Sequence, residues 1–103
     1  ARYKVGHSST CDSLLAPTPG ELTFKINSRI LSPGKTVTND EIALAMSFSI
    51  NHLKLCTEPG GVAALASLLS DRDSYKGKTI VLVLSGGNVD PSTLQFSLSS
   101  NLP

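Results

Sequence analysis

The sequence predicts an α/β fold in which helices pack on a buried parallel strand, as part of a larger domain. Two observations carry this reading. Residues Thr79 to Leu84 run Thr-Ile-Val-Leu-Val-Leu with no polar alternation from Ile80 onward, and such a strand has to be covered on both faces, as in a parallel sheet between helix layers. Strong helix-start signals at Thr38 and Pro59 precede it and another at Asp90 follows it, the alternation expected of an α/β chain. One strand makes no sheet alone, so residues 1–103 are expected to be a single partial domain whose remaining strands lie elsewhere, with no regulatory domain attached.

From Ala1 to Asp12 the pattern is weak. Tyr3 and Val5 hint at a short strand before a Gly6–Thr10 loop, and Ala16-Pro17-Thr18-Pro19-Gly20 reads as a second loop because each proline disfavours helix around it. Glu21 to Leu31 fits two periods: Leu22, Phe24 and Ile26 alternate as in a strand, while Leu22, Ile26 and Ile30 stack every fourth residue as in a helix. The helix is the preferred reading. Ser32 to Lys35 is a turn, and Thr36-Val37 leads extended into the next element.

Thr38 to Lys54 is the clearest helix. Thr38 and Glu41 form an S/T-x-x-E capping box, with Val37 and Ile42 at the staple positions, and Ile42, Ala45, Met46, Ile50 and Leu53 make one apolar stripe. Pro59 suits the first position of the following helix, about Gly60 to Ser70, where its missing amide costs nothing. Gly60 and Gly61 weaken that helix by up to about 1 kcal/mol each relative to alanine, which suggests that a neighbour sits against them. Asp90-Pro91 starts a last helix that runs to about Leu98.

Composition narrows the function classes. The chain is 40% hydrophobic and 17% charged, with nine Lys+Arg against eight Asp+Glu, so no basic cluster is available for a nucleic-acid backbone. The longest apolar run, Ile80 to Leu84, is far short of a membrane span, and no signal-like stretch follows Ala1. Cys11 and Cys56 match no metal-ligand spacing and are read as two reduced thiols rather than a disulfide or a reactive pair. His7 and His52 have no ligand-type residue at metal spacing, so no metal site is expected. GxSxG, P-loop and HExxH patterns are absent, which removes the usual hydrolase, nucleotide triphosphatase and zincin signatures.

Three short segments could carry chemistry. Ser85-Gly86-Gly87-Asn88 follows the apolar run, where ligands lie in open α/β sheets, although strand-to-helix glycine turns are also common. Glu58 stands before Pro59-Gly60-Gly61, placed either to cap the helix or to face a flat ligand that the glycines admit. Asp12, in Thr10-Cys11-Asp12-Ser13, either caps Ser13-Leu14-Leu15 or lines a pocket.

Taken together, Thr10 to Phe24, Leu53 to Gly61 and Gly77 to Asp90 resemble, in order and spacing, the final third of the serine/threonine dehydratase and serine racemase family, over about Ser9 to Asp90. That family consists of fold type II enzymes dependent on pyridoxal 5'-phosphate (PLP). The resemblance implies that this chain is part of the large PLP-binding domain. It implies that Ser85 bonds the pyridine nitrogen of PLP, with Gly86 and Gly87 as the turn that lets the ring approach and Asn88 fixing that turn. It also implies that Glu58 faces the ring edge and that Asp12 stands near the substrate pocket. Where the family usually has Ala-Asp-Gly this chain has Cys11-Asp12-Ser13, so the role carried to Asp12 is the one most exposed to change.

The family's Schiff-base lysine motif, Gly-rich phosphate cradle and divalent-metal site are not found in this sequence and are expected upstream of Ala1. By resemblance the parent protein is a cytoplasmic lyase that eliminates the β-hydroxyl of a hydroxy amino acid to give a 2-oxo acid and ammonia, working as a homodimer or higher homo-oligomer. Racemase and hydroxyaspartate dehydratase activity in the same family stay open, as does a non-catalytic interaction module derived from it. The 103-residue part is expected to be inactive without the rest of the enzyme chain.

Overall fold

The computed structural model describes residues 10–100. The elements over these residues are helix α1 (Glu21–Ile30), helix α2 (Asn39–Phe48), helix α3 (Ala63–Ser70) and helix α4 (Pro91–Ser99). Short 3-10 turns lie at Asp12–Leu14, Pro59–Val62 and Arg72–Tyr75, and a π turn at Ser49–Leu53 extends α2. The expected Tyr3/Val5 strand and Gly6–Thr10 loop lie mostly outside the described residues.

Helix α2 forms where the sequence signals it. The Thr38 hydroxyl accepts the Glu41 amide at 3.2 Å, while the Glu41 carboxylate accepts the Thr38 amide at 2.7 Å, so two amides of the first turn are satisfied reciprocally. The capping bond from the Thr38 amide is the leading cause that holds the Glu41 carboxyl below its ordinary value. Ile42, Ala45 and Met46 are buried as the stripe predicts, but Ile50 is half-buried and Leu53 exposed. The wider π turn rotates those two away from the core before Lys54, in the left-handed region at φ 60°, ends the helix.

Helices α3 and α4 both pack on α2. Pro59 opens the turn that leads into α3, and Val62, Leu65 and Ala66 meet Ile42, Ala45, Met46 and Cys11 in the core. Asp90 caps α4 by accepting the Ser92 and Thr93 amides, each at 3.0 Å. Ser97 is buried against the Met46 sulfur at 3.3 Å and also bonds the Thr93 carbonyl at 2.9 Å, which satisfies its hydroxyl inside an apolar core. Cys11 is buried and Cys56 exposed.

The strand of the expected α/β fold is not formed among the described residues, and the fold they form is helical. The segment Thr79 to Leu84 lies on the core along one side only: Leu82 and Leu84 pack against it, whereas Val81 and Val83 are 89% and 76% exposed. A strand exists through ladder bonds to a neighbouring strand, and these residues supply no neighbour. The run was expected to be covered on both faces, and among the described residues only the face of Leu82 and Leu84 is covered.

Candidate functional site

The end of that segment turns at Ser85-Gly86-Gly87-Asn88, and the turn is fastened to the chain before α3. The Glu58 amide donates to the Gly86 carbonyl at 3.1 Å, and the Ser85 amide donates to the Gly61 carbonyl at 3.3 Å. The Gly61 amide closes on the Glu58 carbonyl at 3.0 Å. Two motifs recognised separately in the sequence are thus one backbone-bonded unit.

Glycine is required at two points of this unit. Gly86 has φ +71°, a conformation that costs an L-residue roughly 1–2 kcal/mol, and a Cβ there would overlap the Glu58 carboxylate. A Cβ on Gly61 would overlap the Ser85 carbonyl oxygen and lie 2.7 Å from its carbonyl carbon. The glycine pair therefore does admit close neighbours, as the sequence suggests: the Ser85 main chain at Gly61 and the Ser13 side chain at Gly60.

For Glu58, a capping hydrogen bond from the side chain is not formed. It precedes the Pro59–Val62 turn, and its carboxylate lies against the backbone of Gly86 instead. Asp12 is the first residue of its 3-10 turn rather than its cap, and its Oδ1 accepts the Ser13 amide at 2.7 Å. Glu58 also borders a cavity of about 320 Å³ whose lining includes Asp12, Ser13, Asn88, Asp90 and Thr93. Glu58 hence joins two surfaces, the glycine turn with exposed Ser85 and the polar cavity with Asp12 and Asn88.

Asp90 belongs to this cavity and was read in the sequence only as a cap. Its carboxylate is held far below the usual range, first by the Ser92 hydroxyl and then by Thr93, so it contributes fixed negative charge there. Thr57, next to Glu58, is buried with its hydroxyl unpartnered among the described residues, and nothing in the sequence pattern marked it. A second cavity, of about 430 Å³, opens where Lys35 and Asp71 pair at 2.6 Å. The pairing raises the Lys35 ammonium and lowers the Asp71 carboxyl, and Lys35 also stands 4.7 Å from the Tyr75 ring centre.

No three His, Cys, Asp or Glu side chains converge as metal ligands among the described residues, and no helix there is long and apolar enough to cross a membrane. Space is open beside the turn: Ser85 is exposed, Gly87 presents no side chain, and a Cβ on Gly87 would meet only the Cys56 carbonyl at an ordinary 3.5 Å.

No family model matches the chain. Curated proteins do. An L-threonine ammonia-lyase of Thermotoga maritima is 30% identical over 97 residues, covering 94% of this chain and 24% of the relative. A β-hydroxyaspartate dehydratase of Paracoccus denitrificans is 30% identical over 89 residues, covering 86% and 28%. A serine racemase of Dictyostelium discoideum is 33% identical over 100 residues, covering 95% and 31%. The chain spans 24% to 31% of the length of these relatives, as a match to their C-terminal part.

Proposed function

Because this chain belongs to the serine/threonine dehydratase and serine racemase family, as a counterpart of its members' C-terminal part, we propose that it is the C-terminal part of a PLP-dependent serine/threonine ammonia-lyase. The parent enzyme eliminates the β-hydroxyl of a hydroxy amino acid and yields a 2-oxo acid and ammonia. In this reading the domain is fold type II, and residues 79–84 complete a parallel sheet whose other strands belong to the rest of the enzyme. The 103-residue part is inactive by itself, and the complete enzyme is a cytoplasmic homo-oligomer.

The observation that carries the proposal is the exposed Ser85 on a glycine turn bonded to the Glu58–Gly61 segment. Ser85 bonds the pyridine nitrogen, Gly86 and Gly87 leave room for the ring, Asn88 supports the turn and Glu58 faces the ring edge. Bound PLP supplies an electron sink for the carbon that bears the amino group. Ser85 is neutral, so it supports a protonated ring nitrogen far less than a carboxylate would. It thereby favours prompt loss of the β-hydroxyl over a long-lived carbanion. Asp12, with Asn88 in the neighbouring cavity, lies on the substrate side.

Replacing Ser85 by Ala in the complete protein should weaken PLP binding about tenfold, the worth of one hydrogen bond of ~1.4 kcal/mol, and slow 2-oxo acid release. Unchanged PLP affinity and turnover would remove the pyridine role. Similarity to a serine racemase and a β-hydroxyaspartate dehydratase supports a second reading with the same cofactor residues. Assay of the complete protein on serine, threonine and hydroxyaspartate, following both 2-oxo acid and enantiomer, separates the two.

A further inference from the structure

We infer that Gly61 is a positioning residue for Ser85: the side chain missing at 61 lets the Ser85 main chain seat on the turn before α3, and this seat sets where the Ser85 hydroxyl stands. The inference rests on the reading of Ser85 as a PLP ligand. Gly61 is buried. The nearest atoms to an added Cβ are the carbonyl oxygen, carbonyl carbon and amide nitrogen of Ser85, the last at 3.3 Å. All three are backbone atoms of one residue, and backbone cannot swing aside as a side chain can.

The seat is closed from both directions. Gly61 accepts the Ser85 amide, while Gly86 accepts the Glu58 amide from the other end of the same turn. Residues 58–61 are themselves tied by the Gly61 amide to the Glu58 carbonyl, so neither partner can move without breaking a bond. A methyl group at 61 must therefore displace the residue that carries the hydroxyl, and misplacing an active-site group by about 1 Å can cost up to ~100-fold in rate.

The other glycine of the Pro59–Val62 turn does not share this backbone contact. A Cβ on Gly60, in the same turn, would meet the Ser13 hydroxyl, which can rotate away, and one on Gly34 would meet nothing within 4 Å. Gly60→Ala and Gly34→Ala are thus matched controls for the loss of glycine.

The test uses the complete parent protein. PLP affinity, the absorbance spectrum of bound PLP and the thermal midpoint are measured for Gly61→Ala, Gly34→Ala, Ser85→Ala and the Gly61→Ala/Ser85→Ala double variant. Gly61→Ala should weaken PLP about tenfold and shift its spectrum as Ser85→Ala does, with the double variant no weaker than Ser85→Ala, because the two changes remove one interaction. Additive losses, or a lower midpoint with PLP affinity and spectrum unmoved, would overturn the inference. Ser85→Ala without effect on PLP would instead overturn the ligand reading.

Should Gly61→Ala fail to fold, amide exchange in the unsubstituted protein decides. Ser85 is exposed, so slow exchange of its amide is expected from the Gly61 bond, and exchange at the free-peptide rate would break the proposed seat.

Discussion

Helices α1 and α2 are both ten residues long, yet α2 buries five of them and α1 none. Apolar side chains do not by themselves make the difference, because α1 carries Leu22, Phe24, Ile26 and Ile30, which are 52% to 72% exposed. It comes from what each helix meets. Helix α2 has α3 on one side and α4 on another, and its first turn is closed by a capping box. Helix α1 has no element packed on it among the described residues, and Gly20 before it supplies no side-chain cap. A ten-residue helix in water is marginal without packing, so the two helices should differ widely in stability. An amphipathic pattern says that a helix has a face to cover, and only the fold says whether it is covered.

The largest expected effect tests that contrast directly. Met46 is 1% exposed at the meeting point of α2 and α4, so Met46→Ala should cost about 2–5 kcal/mol in denaturant unfolding of this chain. Ile26→Ala, on the open face of α1, should change stability by less than about 0.5 kcal/mol. Comparable losses at the two positions would show that α1 is covered in solution. In the complete protein, a larger cost for Ile26→Ala than in this chain would identify α1 as packed by polypeptide from outside it.

A smaller effect separates conformation from contact at the site. Gly77 and Gly86 both have positive φ, at +76° and +71°, but a Cβ on Gly77 would meet nothing within 4 Å while one on Gly86 would overlap the Glu58 carboxylate. Gly77→Ala should therefore cost only the backbone strain, about 1–2 kcal/mol. Gly86→Ala should cost that and the displacement of Glu58. The difference between the two, measured by thermal unfolding, reports the Glu58–Gly86 contact, and equal losses would mean that Glu58 moves away freely.

Local signals were legible in the sequence and partner-dependent ones were not. The Thr38/Glu41 box, Pro59 and the Asp90 cap each act within one helical turn, and the structure has all three where the residues place them. The close approach at Gly60 and Gly61 was also legible, because glycine in a helix start is unfavourable unless a neighbour needs the space. The strand at Thr79–Leu84 depended on other strands, so its second face stays open here. The π turn after α2 leaves no clear mark in residue type. For the site, three segments were legible singly, but the cavity that joins Asp12 to Glu58 and Asn88, and the turn toward Gly86 that Glu58 makes instead of capping, follow from tertiary packing.

The smallest effect concerns acid, and it again divides α1 from the other helices. Asp90 at the start of α4 has its carboxyl lowered first by the Ser92 hydroxyl and then by Thr93, and Glu41 in the first turn of α2 has its carboxyl lowered first by the Thr38 amide. A carboxyl whose folded value is lowered stabilises the fold fully above its unfolded value, near 4, and that contribution is lost as pH falls through the folded value. For Asp90, which is lowered further than Glu41, the loss continues to more acid pH. Amide exchange followed from neutral pH into the acid range should thus show α2 loosening at its first turn before α4 does. The start of α1, where no side chain caps the helix, should show no cap-linked change. Asp90→Asn keeps an oxygen acceptor at the cap but cannot be protonated in this range, so it should abolish the acid response of α4 alone. If α4 in that variant still loosens with falling pH, the response arises elsewhere than in the cap.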